Sequence, residues 1–278
     1  MKSHKQIIQQ IEWKDLRHLT IWQIAYNVIL PYPFVLISWY FASQSQYVLA
    51  VLFSYFFFAG AFRQGHDIYH RSLGVSGWKS TLLLYILSAL TLTSLHAIGQ
   101  SHLQHHRNPL GEDDAEGQLS HKTWWQALLG GLSFRYRVYV HGWKLAKKYQ
   151  RDTGHIMVDS VLVVAMTILT FVTGWEILLY QFCVMFVANA LVGVVGVWGM
   201  HHDCDDDVVA RTERNPIINL LTFNLFYHVE HHLFPAVPTN HLPELAKRLD
   251  KIAPEMTQLA VISILQKKQD TDMQKVEL

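Results

Sequence analysis

From His18 to Phe62 the chain runs 45 residues without an Asp, Glu, Lys or Arg. One helix needs about 20 apolar residues to cross a bilayer. The run is long enough for two crossings, and the polar turn Ser43-Gln44-Ser45-Gln46 divides it. Spans are expected near 22–42 and 47–63, with Pro31 and Pro33 kinking the first, which membrane helices tolerate. A second stretch, 156–200, holds only Asp159 and Glu176, both near helix ends, and Thr173-Gly174-Trp175-Glu176 makes its turn. That pattern predicts spans near 157–173 and 177–199. The expected fold is all-α and integral to a membrane, with four transmembrane helices in two hairpins. Segments 64–155 and 200–278 then form a helical cap that completes one membrane domain, 1–278.

Charge placement orients the chain. All 23 Lys and Arg lie before the first run, between the two runs or after the second. The positive-inside rule puts those segments, with both termini, on the cytoplasmic side of a cell membrane. Met1 to Thr20 is polar and mixed in charge, with no small-residue cleavage site after the first apolar run, so no signal peptide is expected. Residues 80–99 are apolar enough for a fifth span. A crossing there would carry the basic residues of 107–151 outside, so the segment is expected to lie in the interface or to dip in and return. Residues 120–152 read as an amphipathic helix. Trp124, Trp125, Leu128, Leu129 and Leu132 share one side, and a basic stretch runs from Arg135 to Lys148. Residues 242–266 read as one or two surface helices. Charged residues are 16% of the chain and its net charge is +1, which excludes a disordered chain and a basic nucleic-acid binder. Two cysteines and no CxxC exclude a disulfide scaffold, a zinc ribbon and an iron–sulfur cluster.

Seventeen histidines are the unusual count, and three clusters hold eight of them. His66 and His70 form an HxxxH; His102, His105 and His106 form an HxxHH; His228, His231 and His232 form a second HxxHH. Positions i, i+3 and i+4 share one helix face, so each cluster aims its imidazoles at one point. Eight imidazoles exceed the three protein ligands of a catalytic zinc and suit two metals. Imidazole suits zinc, copper, iron or nickel, and a pair of metals beside a bilayer, with no Ser or Cys nucleophile in evidence, points to O₂ chemistry on a lipid. A transporter would place its ligands near the bilayer midplane, and a hydrolase would need fewer histidines.

Phe226-Tyr227-His228-Val229-Glu230-His231-His232-Leu233-Phe234-Pro235 followed by Val237-Pro238, together with Gly65-His66-Asp67 and the 36 residues from His66 to His102, resemble the membrane fatty acid desaturase and hydroxylase superfamily. The resemblance covers about Phe58 to Leu249. It implies two non-haem irons, O₂ as co-substrate and a separate electron donor of the ferredoxin, flavoprotein or cytochrome type. It also implies a further ligand upstream of the third box. His201 matches best, and His202 is the alternative. Asp67, Asp114 in the Glu112-Asp113-Asp114 loop, and Glu230 are candidates for the carboxylates that hold ligand imidazoles in place. Tyr55, Phe58, Asn189 and Gly193 are candidates for lining the substrate tunnel, although Asn189 also suits a helix bridge, and Gly193, Gly196 and Gly199 also suit close helix packing. The leading reading is desaturation of an acyl chain of a fatty acid or lipid. The alternative is a carotenoid hydroxylase or ketolase using the same boxes. His4, His18, His96, His121, His141, His155 and His241 are expected to be non-ligands.

Overall fold

The computed structural model describes residues 4–205 and 207–262. Among them there are helices and one isolated bridge, Thr212 to Ala260, but no strand. Four helices are long and apolar enough to cross a membrane: Ile21–Ser43, Tyr47–Tyr69, Thr153–Thr173 and Glu176–His201. The first opens on a capping box between Thr20 and Gln23 and is interrupted at Leu30, immediately before Pro31, whose missing N–H cannot continue the ladder. Gly174 ends the third at φ +62°, a left-handed cap that glycine adopts without cost. Large apolar side chains stay on the outer faces: Trp22 is 82% exposed, Val48 86% and Val172 79%. In water such faces would have to be covered, whereas hydrocarbon solvates them.

The second helix does not stop near 63 as expected. It continues to Tyr69, so that His66 sits on its last turns and His70 caps it. Arg63 ends the apolar run but is itself buried. It bonds Thr239 and, at 2.8 Å each, Asn27 and Asn240, so the charge has full company and the helix need not break. The fourth helix also changes character near its end, where Gly193–Trp198 is π-helical. A π segment inserts a residue into the helical register and re-aims the side chains beyond it.

Residues 80–99 are not one straight helix. Trp78–Thr91 and Leu95–Arg107 meet at 107°, with Leu92 at φ +55° in the break. A broken helix leaves carbonyls without partners, and in lipid these must be satisfied by protein. Here the carbonyl of Leu90 accepts from Gln181 at 2.8 Å and that of Thr91 from Asn189 at 2.9 Å. The second half starts on Asp159, a fully buried carboxylate that accepts from Ser94 Oγ, the His96 amide and His96 Nδ1, each at 2.9 Å.

The 120–152 region forms the helix Trp124–Lys148. Trp125, Leu129, Leu132 and Tyr136 are exposed on one face. The opposite face is packed hard through glycine. A Cβ on Gly131 would lie 2.0 Å from the Ala190 carbonyl oxygen, and one on Gly142 would lie 2.0 Å from that of Ala97. The helix is therefore a strut between the fourth apolar helix and the box-two helix.

Below box three lies a second core. Helix Leu242–Ile252 buries Leu242, Leu245, Ala246 and Leu249, at one-face spacing, against Val229, Leu233 and Phe234. Ile7 and Ile11 of the N-terminal segment complete it. Beyond this helix the described residues hold the short 3₁₀ turn Pro254–Thr257, and the expected end of the surface region, 263–266, lies outside them.

Candidate metal centre

Three helix segments bring eight imidazoles together, and a fourth adds one more. His66 and His70 stand one turn apart at the end of helix 47–69. His102, His105 and His106 share a face of helix 95–107, and His228, His231 and His232 share a face of the short helix His228–Leu233. His201, at the end of the π-bearing helix, is the ninth. The side chains divide into two groups: His66, His70, His102, His106 and His231, and His105, His201, His228 and His232. Within each group the offered ring nitrogens all lie within 4.8 Å of one another. In the group of five, His231 Nε2 is 2.8 Å from both His66 Nε2 and His106 Nε2, and His102 Nε2 is 3.1 Å from His70 Nε2. In the group of four, His228 Nε2 is 3.0 Å from His201 Nε2 and 3.2 Å from His232 Nε2, which is 3.3 Å from His105 Nε2. The His70–His102 contact joins the end of helix 47–69 to helix 95–107. The intervening 107° bend thus returns the chain to the end of the bundle it left.

His201 and His202 are separated by this geometry. His201 is buried in the group of four, and its Nδ1–H donates to the Val209 carbonyl at 2.7 Å. His202 stacks on Trp198, with ring centroids 4.1 Å apart, and bonds the Trp198 carbonyl.

What holds the rings differs from ring to ring. His105 Nδ1–H donates to Asp114 at 2.7 Å, and His102 Nδ1–H donates to Glu116 at 3.0 Å. Each bond fixes the tautomer and turns Nε2 toward the cluster. Glu116 was not among the expected carboxylates; its signal was a further acid in the loop after box two. Two of the expected carboxylates do something else. Asp67 accepts from Thr239 Oγ1 at 2.7 Å and from Ser72, while its Oδ1 stays 3.9 Å from His66 Nδ1, which has no hydrogen-bond partner among the described residues. Glu230 accepts from Thr212 and Arg214 instead of from an imidazole. Both acids tie their box to neighbouring segments, because neighbours in a box point to different faces of the helix.

Burial, reinforced by the neighbouring imidazoles, holds His228, His231 and His232 well below the usual histidine range. They are neutral at physiological pH, the form in which imidazole ligates a metal. Burial alone would raise Asp114, yet bonds from His105 and from backbone amides hold its carboxyl below the usual range. Two sets of inward-facing imidazoles, five and four, are a donor set fit for two transition-metal ions.

Five of the seven histidines expected to be non-ligands have other partners. His96 is tied to Asp159 and stacks on His155; His141 bonds Ser101; His241 bonds the Leu16 carbonyl; His4 bonds the Asp207 carbonyl.

A narrow cavity of about 70 Å³ touches His66, His102, His105, His201 and His228. It shares Phe58, Phe62, Val192, Gly196, Met200 and Leu225 with a wider apolar groove of about 570 Å³ between helices 47–69 and 176–201. Of the residues expected to meet substrate, Phe58 lines both spaces, Tyr55 the groove and Asn189 the cavity. Gly193 lines neither. An added Cβ there would sit 2.9 Å from Leu119 and 3.4 Å from Gly131 Cα, so it is a packing position. Arg135, expected in a basic surface stretch, instead lines the cavity beside Thr93.

Two comparisons with known proteins can be set against this geometry. The family model for fatty acid desaturase matches residues 38–263, which contain all nine imidazoles. The sphingolipid delta(4)-desaturase DES1 of Drosophila melanogaster is 34% identical over 84 residues, 30% of this chain and 26% of that protein. The chain thus matches about a quarter of the length of that curated relative.

Proposed function

The chain belongs to the fatty acid desaturase family, and from that premise we propose that it is an O₂-dependent diiron oxidoreductase that desaturates the acyl chain of a fatty acid or lipid. The observation that carries this reading is the pair of imidazole groups, five and four, beside a cavity that opens into an apolar groove. The group of five would hold one iron and the group of four the other. Bound there, the irons would supply O₂ reduction and the removal of hydrogen from an unactivated C–H bond.

The protein's own part is orientation and exclusion. Asp114, Glu116 and the Val209 carbonyl hold Nδ1–H bonds, so that His105, His102 and His201 keep Nε2 inward. Phe58, Phe62 and Leu225 confine an extended chain and exclude water, which fixes one C–C bond near the imidazoles. The balance is a saturated C–C bond plus O₂, two electrons and two protons, giving C=C and two waters. The two electrons come from a separate carrier of the ferredoxin, flavoprotein or cytochrome type.

Metal analysis and product analysis test the reading. The purified protein is expected to hold two irons per chain. Its expression in a host lacking carotenoids is expected to raise unsaturated acyl chains, with no ¹⁸O from ¹⁸O₂ in them. Unchanged acyl chains, with ¹⁸O-labelled xanthophylls in a carotene-producing host, would replace desaturation by carotenoid oxygenation. We place the boxes and both termini on the cytoplasmic side of the cell membrane, because neither short turn carries Lys or Arg. Single cysteines at Gln44 and Trp175 should then label from outside and one at Gly111 should not. External labelling at Gly111 would refute that orientation.

A further inference from the structure

The inner cavity is not uniformly apolar. The walls it shares with the groove are Phe, Val, Leu, Met and Gly. Thr91, Thr93, Asn189 and Arg135 also line it, and the groove does not reach them. Among the described residues Arg135 makes one hydrogen bond, from Nε to Thr93 Oγ1 at 3.0 Å, and no carboxylate comes within ion-pair distance. Burial pushes the Arg135 guanidinium down to about 10, so it is still charged at neutral pH. Asn189 spends Nδ2 on the carbonyls of Thr91 and Met185, and its Oδ1 has no partner among the described residues. Glu116 Oε1, also buried in the cavity wall, has none either. A half-buried guanidinium with unused donors is costly in an apolar chamber unless something accepts from it. Nothing in the apolar groove does.

We propose that this end of the cavity binds a neutral oxygen, a hydroxyl or amide carbonyl, of a long-chain lipid whose tail runs back into the groove, with Arg135 donating to that oxygen. Neutrality follows from Glu116: a carboxylate lines the same narrow space and would oppose an anion. Continuity of the cavity with the groove gives the tail its path. The small cavity holds both Arg135 and the imidazoles, so the carbon that reacts lies close to the oxygen-bearing end of the lipid. This assignment deepens the desaturase reading and rests on it. It disfavours a hydrocarbon without oxygen, which would leave Arg135 unanswered.

Binding separates this from the chemistry. The iron-loaded protein in lipid nanodiscs is titrated with tritiated hexadecanol, hexadecanoate and hexadecane, with empty nanodiscs as background. Hexadecanol is expected to bind at least about tenfold tighter than hexadecane, the size of one hydrogen bond to a charged group, with hexadecanoate weaker than hexadecanol. Arg135→Gln should erase that preference at unchanged melting temperature and iron content, and Arg135→Lys should restore part of it. Phe58→Trp, which narrows the shared wall, should weaken both probes. Equal binding of hexadecanol and hexadecane by the unaltered protein, tightest binding of hexadecanoate, or a preference that survives in Arg135→Gln would overturn the assignment. A preserved binding preference in a protein that produces no double bond would count against the reaction and leave the oxygen site standing.

Discussion

Boxes two and three have the same HxxHH spacing, and the protein secures them by different means. In box two the supporting carboxylates lie in the loop just after the box: Asp114 reaches His105, Glu116 reaches His102, and both bonds go directly to a ring. In box three the internal acid, Glu230, turns away from the rings. It pairs with Arg214, and Arg214 continues to Asp250 on helix 242–252. The first arrangement sets the tautomer and aim of individual imidazoles. The second sets the position of the whole short helix against the core that Ile7, Leu245 and Leu249 build. One motif therefore depends on local electrostatics and the other on the integrity of the core beneath it.

Substitutions can break or sharpen that contrast. The largest effect is expected where the two boxes are alike. His105→Ala and His231→Ala each remove one member of an imidazole group, so turnover should fall by more than about 100-fold, beyond the cost of losing an outer partner. Iron per chain should drop in both, as measured by elemental analysis. Arg214→Leu comes next. It leaves Glu230 buried and unpaired and should cost about 3 kcal/mol of stability, read by thermal or denaturant unfolding, with iron per folded chain unchanged. Asp114→Asn should show the reverse pattern: iron affinity about 10- to 100-fold weaker, measured by chelator competition, with little change in unfolding. If these two variants lose stability equally, the distinction between the boxes fails. The smallest effect belongs to His202→Ala, which loses a half-exposed stack on Trp198 worth about 1 kcal/mol and should leave iron content as it was.

The same contrast explains what was legible in the sequence. A charge-free run has few ways to be solvated, so the four apolar helices could be read within a few residues of their observed ends, the second excepted. His at i, i+3 and i+4 constrains itself, which is why the nine rings could be named from spacing and resemblance before their groups were known. Partners across long separations could not be read. Asp67 looked like a ring partner because it adjoins His66, but Thr239, 172 residues on, claims it. Arg63 looked like the end of an apolar region and Arg135 like the start of a basic stretch, since nothing in the sequence marks a charge that will be buried. Gly193 fitted a tunnel and a helix contact equally well until Gly131 was seen opposite it. The four-residue step from Arg63 to Asp67 hid the continuation of helix 47–69, because the loss of hydropathy resembles the end of a helix.

The broken helix at Leu92 carries a consequence for how the protein is made. The carbonyls of Leu90 and Thr91 are answered by Gln181 and Asn189, about a hundred residues later in the chain. During synthesis the bend therefore emerges without the groups that satisfy it, and the box-two helix stays unanchored on that side until the fourth apolar helix has been inserted. Box three emerges later still. The order of the chain thus makes the imidazole cluster the last part to assemble, and a nascent chain halted before Asn189 has two of its three boxes but no fixed bend to bring them together.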